Sequence, residues 1–300
     1  MSWRPRRVTS VETLDAGPVA ALGALLDSGA PAPSAGDVLP PLWHWVALPR
    51  WPSSSVIGVD GHPRRGDFLP PIDLPRRMFA GGEVTFHGDL RVGTEIVRES
   101  EVVSVEEKSG RSGRLAIVTV VTRLLDAERD DLLVEERQDL IYRDAAPAPT
   151  SFPDPEPASA IAPAGPPLVA EDDGWRFVTD STLLMRFSAA SANPHRIHYD
   201  WPYATRVEGY PGLVVHGPFS TLVLAEALRL AHPDRVVRHL RHRNTAPLFC
   251  GNPAQVRVDR PNPDTAPDSV EVALRRPDGT VLAGLTAELA TLTPKGTNHE

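Results

Sequence analysis

The stretch that decides the fold is residues 187–231, FSAASANPHRIHYDWPYATRVEGYPGLVVHGPFSTLVLAEALRLA. Its last part, residues 219–231, is apolar nearly all round a helical wheel, with only Ser220, Thr221, Glu226 and Arg229 polar. A helix of that kind sits inside a protein. Pro218 is tolerated in its first turn, where the missing N–H costs nothing, and Gly217 stands just before it. Three histidines, His195, His198 and His216, lead into the helix. Titratable groups beside a buried helix are costly unless they are satisfied or used. One stretch therefore carries both a domain core and candidate chemistry.

Downstream, Val256 and Val258, then Val270, Val272 and Leu274, then Val281 to Leu289 alternate as strands, the last two joined by Arg276-Pro277-Asp278-Gly279. Upstream, residues 144–168 (DAAPAPTSFPDPEPASAIAPAGPPL) are Pro/Ala-rich and have little to bury, which reads as a linker. Before it, strand patterns run from Gly82: Val84 and Phe86, then Ile96 to Val105, then 115–121, then 132–142. Residues 10–27 predict a short helix opening at Ser10 with a break near Gly17-Pro18. Residues 60–71 and Pro75-Arg76-Arg77 predict loop. A buried helix followed by antiparallel strands is the layout of a sheet wrapped round a central helix, and pattern alone gives an α+β fold of two repeated halves. A short echo between residues 89–93 and 247–251 fits such a duplication. The expected units are 1–145, a linker at 146–168, and 169–300.

Three hundred residues suffice for two such halves. A net charge of -8 argues against a nucleic-acid surface, which needs a basic excess. The single cysteine, Cys250, excludes an internal disulfide framework and suits a reducing compartment. The N-terminus has basic residues with no apolar run after them, unlike a secretory signal, and no run of eighteen apolar residues would span a membrane. The expectation is a soluble cytoplasmic protein with neither membrane nor nucleic acid as partner.

The three histidines fit no short metal motif, so no metal is expected. Val215-His216-Gly217-Pro218 instead places a glycine at a helix N-terminus, where unpaired backbone N–H groups and the positive dipole end face outward. Such a point stabilises negative charge developing on a carbonyl oxygen. A histidine beside it suits proton transfer next to a carbonyl.

These residues resemble the signature of the MaoC-like family, the (R)-specific enoyl-CoA hydratases (hydratase 2), which have the hot-dog fold. Phe187, Ser191, Ile197, His198, Asp200 and Ala204 fall on its pattern, and Val215-His216-Gly217 on the start of its central helix. Together with PPLWHW (40–45), DGHPRRGDFLPP (60–71) and LPRRMFAGG (74–82), the stretch is similar to a two-domain branch, the 3-methylfumaryl-CoA (mesaconyl-CoA) hydratases. Mitochondrial-type hydroxyacyl-thioester dehydratases share the second-half motif. The resemblance covers most of the chain, most weakly the linker and the first thirty residues.

The resemblance implies a double hot-dog, two tandem antiparallel sheets each wrapped around a central helix, with a catalytic second half and a degenerate first half. It implies reversible addition of water across the double bond of an enoyl-CoA thioester, the best match being 3-methylfumaryl-CoA to citramalyl-CoA, with no cofactor beyond the CoA of the substrate. The alternatives are a (3R)-hydroxyacyl-thioester dehydratase of fatty-acyl chains, a non-catalytic acyl-CoA-binding subunit and a hot-dog thioesterase. His198 matches the catalytic histidine, and Gly217 the glycine whose amide meets the thioester oxygen. The chain departs from the hydratase 2 signature at Asn193, where the family has Asp, and at His195, where it has Asn. An amide is no base near neutral pH, so His195 is expected to share the acid–base work and Asn193 to orient water. The resemblance to the two-domain branch implies that the same change is found there. For the phosphates and carboxylate of the ligand the candidates are Arg196, Arg64, Arg65, Arg76 and Arg77, with Arg206 further along. Tyr199 and Tyr210 are candidates for the acyl pocket. His216 marks the helix start beside it, and Asp200 and Tyr203 are read as structural. Two fused halves make a homodimer optional.

Overall fold

The computed structural model describes residues 3–110, 113–145, 165–259 and 268–291. Of the expected linker, residues 146–164 lie outside the described residues.

The buried helix forms as its composition requires. Helix α4, Gly217–Ala231, has every residue from Phe219 to Leu228 buried. Its one buried charge, Glu226, is held by Arg229 (2.6 and 3.0 Å) and the Ser28 hydroxyl (2.7 Å), so burying it leaves no unpaired group. Around α4 run β8 (Arg235–Asn244), β9 (Ala254–Val258), β10 (Ser269–Arg275) and β11 (Val281–Thr291). Short strands β6 (Leu168–Glu171) and β7 (Gly174–Phe177) continue that edge. The first half supplies β1 (Val8–Thr13), β2 (Arg76–Phe86), β3 (Glu95–Gly110), β4 (Gly113–Asp126) and β5 (Leu132–Arg143). Its helices are α1 (Ala16–Leu26) and the single turn α2 (His44–Ala47), while α3 (Ser181–Ala190) opens the second half.

The two halves meet as one antiparallel sheet of eleven described strands, ordered β1-β3-β4-β5-β2-β8-β11-β10-β9-β7-β6. The seam is β2 against β8, with Gly82 opposite His242 and Val84 opposite Leu240. The Ala80-Gly81-Gly82 run explains itself here. A Cβ on Gly82 would lie 1.9 Å from the Arg137 carbonyl oxygen across on β5, so only glycine allows that strand to pass. Helix α1 packs on α2 and α3, and its Val19, Leu22, Leu25 and Leu26 share an apolar cluster with Phe219, Leu222 and Val223 of α4. The α+β, double hot-dog expectation is the architecture observed.

Three local expectations change. Residues 8–13 (VTSVET) form a strand, with β-branched residues at four of six positions and antiparallel pairing to β3. The helix behind it starts at Ala16, so Gly17-Pro18 falls in its first turn and breaks nothing. Arg76 and Arg77 open β2, paired with Arg143 and Tyr142, and do not continue the loop. No helix among the described residues is long and apolar enough to cross a membrane.

Candidate active site

His198 ends a tight 3-10 turn, Arg196–His198, whose backbone is tied to the start of α4 by Val214 N–H donating to Ile197 O (3.0 Å). The imidazole is buried, and Nδ1 donates to the Val214 carbonyl at 2.7 Å. A carbonyl only accepts, so Nδ1 carries the proton and Nε2 keeps its lone pair. His216 stacks on it, ring centres 3.6 Å apart, and is itself held by the Ser188 hydroxyl through Nε2 (2.8 Å). Burial holds His198 well below the usual imidazole value, helped by the neighbouring His216 and His195 rings. His216 is held down to about 3 by burial and by His195. Both rings are therefore neutral near pH 7, the form in which Nε2 of His198 can act as a base.

Beside them opens a cavity of about 1450 Å³ whose wall includes His62, Asn193, His195, His198 and Gly217. Gly217 sits at the first position of α4, where its N–H has no intrahelical partner. A Cβ there would come within 3.3 Å of Cδ1 of Phe79, another wall residue, so the glycine keeps this entrance open. Asn193 is committed in part: its Oδ1 accepts from the His195 backbone N–H (3.2 Å), closing the turn and leaving Nδ2 to donate.

His195 lies edge-on to His198 at 5.4 Å, and its buried Nε2 has no hydrogen-bond partner, the nearest acid being Glu208 Oε1 at 3.9 Å. On its other side, 4.3 Å away, is His62 from the first half. Nδ1 of His62 faces Asp60 Oδ2 at 3.3 Å. Burial and the nearby Arg77 guanidinium lower His62 to about 3. Burial pushes Asp60 up, but hydrogen bonds and charge from His62 outweigh it and bring the carboxyl to about 2. Asp60, His62 and His195 bring three ligand-type atoms within 4.8 Å of one another, the one group among the described residues able to hold a metal ion.

The expected arginines divide. Arg64, Arg65, Arg76 and Arg77 line the cavity. Arg65, however, is fastened to the Ile72, Leu74 and Pro75 carbonyls and lies over the Tyr142 ring, and Arg64 reaches back to Ser55 O. Arg76 pairs with Glu208 (3.4 Å) and covers Tyr210, which also lines the cavity. Arg196 is a correction: it lies off the cavity wall, bound to Asp200 (2.7 and 2.9 Å) and the Val59 carbonyl, with its guanidinium over Tyr203. Arg206, Tyr199 and His216 are also outside the wall; Tyr199 is half exposed and donates to Pro194 O. Asp200 is structural as read, capping the next turn through the Tyr203 N–H (3.1 Å).

Sequence reading missed Arg114, Arg143 and Arg243, cations on the same wall. Arg143 ends β5 opposite Arg76 and Leu115, so strand register gathers Arg76, Arg77, Arg114 and Arg143 at one end of the sheet. No local pattern announces this, because the four are brought together only by pairing. Buried Glu208 was missed as well, since Arg206 two residues before it makes the stretch between Tyr203 and Tyr210 read as exposed.

The profile of the hydroxyacyl-thioester dehydratase type 2 family matches residues 42–250. The chain is 41% identical over 290 residues to mesaconyl-C(4)-CoA hydratase of Chloroflexus aurantiacus, spanning 96% of this chain and 97% of that one. Among solved structures it is similar to HtdX of Mycobacterium tuberculosis, with TM-score 0.62, 18% identity, and 94% and 99% of the two chains covered. A second Mycobacterium tuberculosis protein, described as a double hotdog fold, matches with TM-score 0.55 and 15% identity over 97% of each chain.

Proposed function

The chain belongs to the hydroxyacyl-thioester dehydratase type 2 family, and from that footing we propose that it is a hydro-lyase adding water reversibly to the double bond of an enoyl-CoA. The observation that carries this is the opening of the His198 imidazole and the Gly217 amide on one cavity. A thioester oxygen placed at the Gly217 N–H polarises the conjugated double bond and draws electron density off the β-carbon. Nε2 of His198 takes a proton from water as the oxygen bonds that carbon. The double-bond pair moves into an enolate at the thioester, and the proton passes from His198 to the α-carbon. One water is consumed, and no electrons leave the substrate. The chemistry so written uses one imidazole and a backbone amide, with no metal or redox group.

The acyl group we propose is 3-methylfumaryl, the C4 thioester of mesaconate, giving citramalyl-CoA. It is supported by the relative of known name, and by a wall rich in arginine suited to phosphates and a free carboxylate. Both halves line the cavity, so one chain can make a complete site and a homodimer is optional.

The test is an assay with mesaconyl-C4-, crotonyl- and long-chain enoyl-CoA, following the enoyl-thioester absorbance together with free thiol. Absorbance lost without thiol, fastest for the mesaconyl thioester, is the expected result. Preference for long chains points to a fatty-acyl dehydratase, thiol release to a thioesterase, and neither signal to a binding subunit.

A further inference from the structure

Hydration needs more of the site than one base. The attacking water has two O–H bonds, and its lone pair is best aimed at the β-carbon when both hydrogens are held. His198 takes one. The residue placed by sequence to hold the water, Asn193, has one lone pair of its acceptor oxygen taken by the His195 amide. An imidazole lone pair on the wall is the stronger acceptor for the other hydrogen.

His62 has the required form. Its Nδ1 is fixed on the Asp60 carboxylate, which accepts, so Nδ1 holds the proton and Nε2 presents a lone pair. The ring lies 4.3 Å from His195, on the wall shared with His198 and Gly217. The loop that delivers it is stitched to the second half. Arg196 N–H donates to Asp60 O at 2.9 Å, and Asp60 Oδ1 accepts the His62 N–H at 3.0 Å. Gly61 passes so close to Pro194 that a Cβ would sit 1.9 Å from its carbonyl oxygen.

We propose that His62, oriented by Asp60, is a second catalytic imidazole of the hydratase site, contributed by the first half. It rests on the hydratase reading above. In the step, water's oxygen bonds the β-carbon, and one proton travels through Nε2 of His198 to the α-carbon. The other proton stays on the new hydroxyl, hydrogen-bonded to Nε2 of His62 throughout, so His62 ends the step with its charge unchanged. Asp60 is a positioning residue, acting through the tautomer it sets.

The experiment measures kcat, KM and melting temperature of His62→Ala, His62→Gly and Asp60→Asn in the full chain with mesaconyl-C4-CoA or, failing that, the best enoyl-CoA of the wild type. His62→Ala should lower kcat about 100-fold with KM and melting temperature near wild type. Added imidazole should restore part of the His62→Gly rate, which a purely structural role would not allow. Asp60→Asn, which keeps the turn onto the His62 amide, should lower kcat about tenfold at unchanged KM. Should His62→Ala lose its melting transition, His62→Gln, close in size and lacking the ring, carries the same kcat expectation. A kcat within about threefold of wild type, a rise in KM alone, or a lost rate that imidazole does not restore overturns the proposal. So does a wild-type rate that a chelator abolishes and zinc restores, which would make Asp60, His62 and His195 a metal site. A wild type inactive on every enoyl-CoA removes the hydratase reading itself, whereas an active wild type with unaffected variants removes this inference alone.

Discussion

His44 in the first half and His198 in the second are equally buried, and both imidazoles stand on the cavity wall. Their partners differ. His44 gives Nε2 to the Glu136 carboxylate (3.0 Å), which also accepts from Trp45 (2.7 Å) and Gln138. Burial alone would raise Glu136, but the bonds and charge of His44, with those of Gln138 and Trp45, bring it below its ordinary value. His198 spends Nδ1 on a backbone carbonyl and keeps Nε2 open. The helices diverge likewise: α4 opens on the cavity through Gly217, and no residue of α1 lines it. His44 is spent on a buried carboxylate and helps to shape a wall. His198 keeps one ring nitrogen open to the cavity, and that nitrogen is available for chemistry.

This contrast predicts opposite phenotypes. His198→Ala should lower kcat by about a thousandfold or more while leaving the melting temperature near wild type. His44→Ala should keep kcat per folded molecule but cost on the order of 3 kcal/mol in denaturant unfolding, because Glu136 stays buried with its charge less well paired. A stable, inactive His44→Ala and an active His198→Ala would reverse the roles of the halves.

The junction is next in size. Gly61 has φ +93° and almost touches Pro194 O, so Gly61→Ala must push the first-half loop off the second half. Activity should fall about 10- to 100-fold, with a lower melting temperature. Gly36→Ala, at φ +86° with open space around it, isolates the backbone cost at roughly 1 kcal/mol and should keep the rate. Equal rates in the two variants would show that the docked loop has no part in catalysis.

How much of this was readable in advance follows the range of the interactions. Helix α4, the strand meanders and the His198–Gly217 pair are local patterns, and they stand where sequence places them. Strand β8, RVVRHLRHRN, was not seen: basic residues interrupt its apolar alternation, and it becomes a strand by lying between β2 and β11. Helix α3 was passed over although Asp180 caps it through the Leu183 N–H (2.8 Å), a signal present in the sequence. Arg196 and Tyr199 flank His198 closely in sequence, yet the 3-10 turn sends their side chains to Asp200 and Pro194. His62 can be named from the sequence as a first-half loop residue that could reach the cleft, but not placed there, because a contact between halves leaves no periodicity to read.

Both halves also contribute buried imidazoles that resist protonation. Burial is the first cause for each: His62 and His216 fall to about 3, His242 to about 4, and His198 well below the usual range. In the unfolded chain these rings bind protons near 6.5. Below that pH the unfolded state holds more protons than the native one, so stability falls as pH falls from about 6.5 towards 4. The slope is up to about 1.4 kcal/mol per pH unit for each histidine, and the loss disappears above about pH 7. Asp60 and Glu136, held below their ordinary values, add losses of the same sign at lower pH. Urea midpoints at pH 7.5, 6 and 5 measure this, and a flat series would mean that the imidazoles are hydrated and not buried as described.

The smallest effects separate two tyrosines, one from each half. Tyr142 is fully buried under the Arg65 guanidinium, and its hydroxyl has no partner among the described residues. Removing an unsatisfied buried hydroxyl relieves a desolvation cost, so Tyr142→Phe should be neutral or stabilising by up to about 1 kcal/mol. Tyr199 is half exposed, with its hydroxyl on Pro194 O at 2.9 Å. A solvated bond of that kind is replaced by water, so Tyr199→Phe should change stability by less than about 0.5 kcal/mol. Neither variant should alter KM, since neither ring lines the cavity. A raised KM in Tyr199→Phe alone would return that residue to the substrate wall, and would mean that the loop after His198 turns inward when the acyl chain is bound.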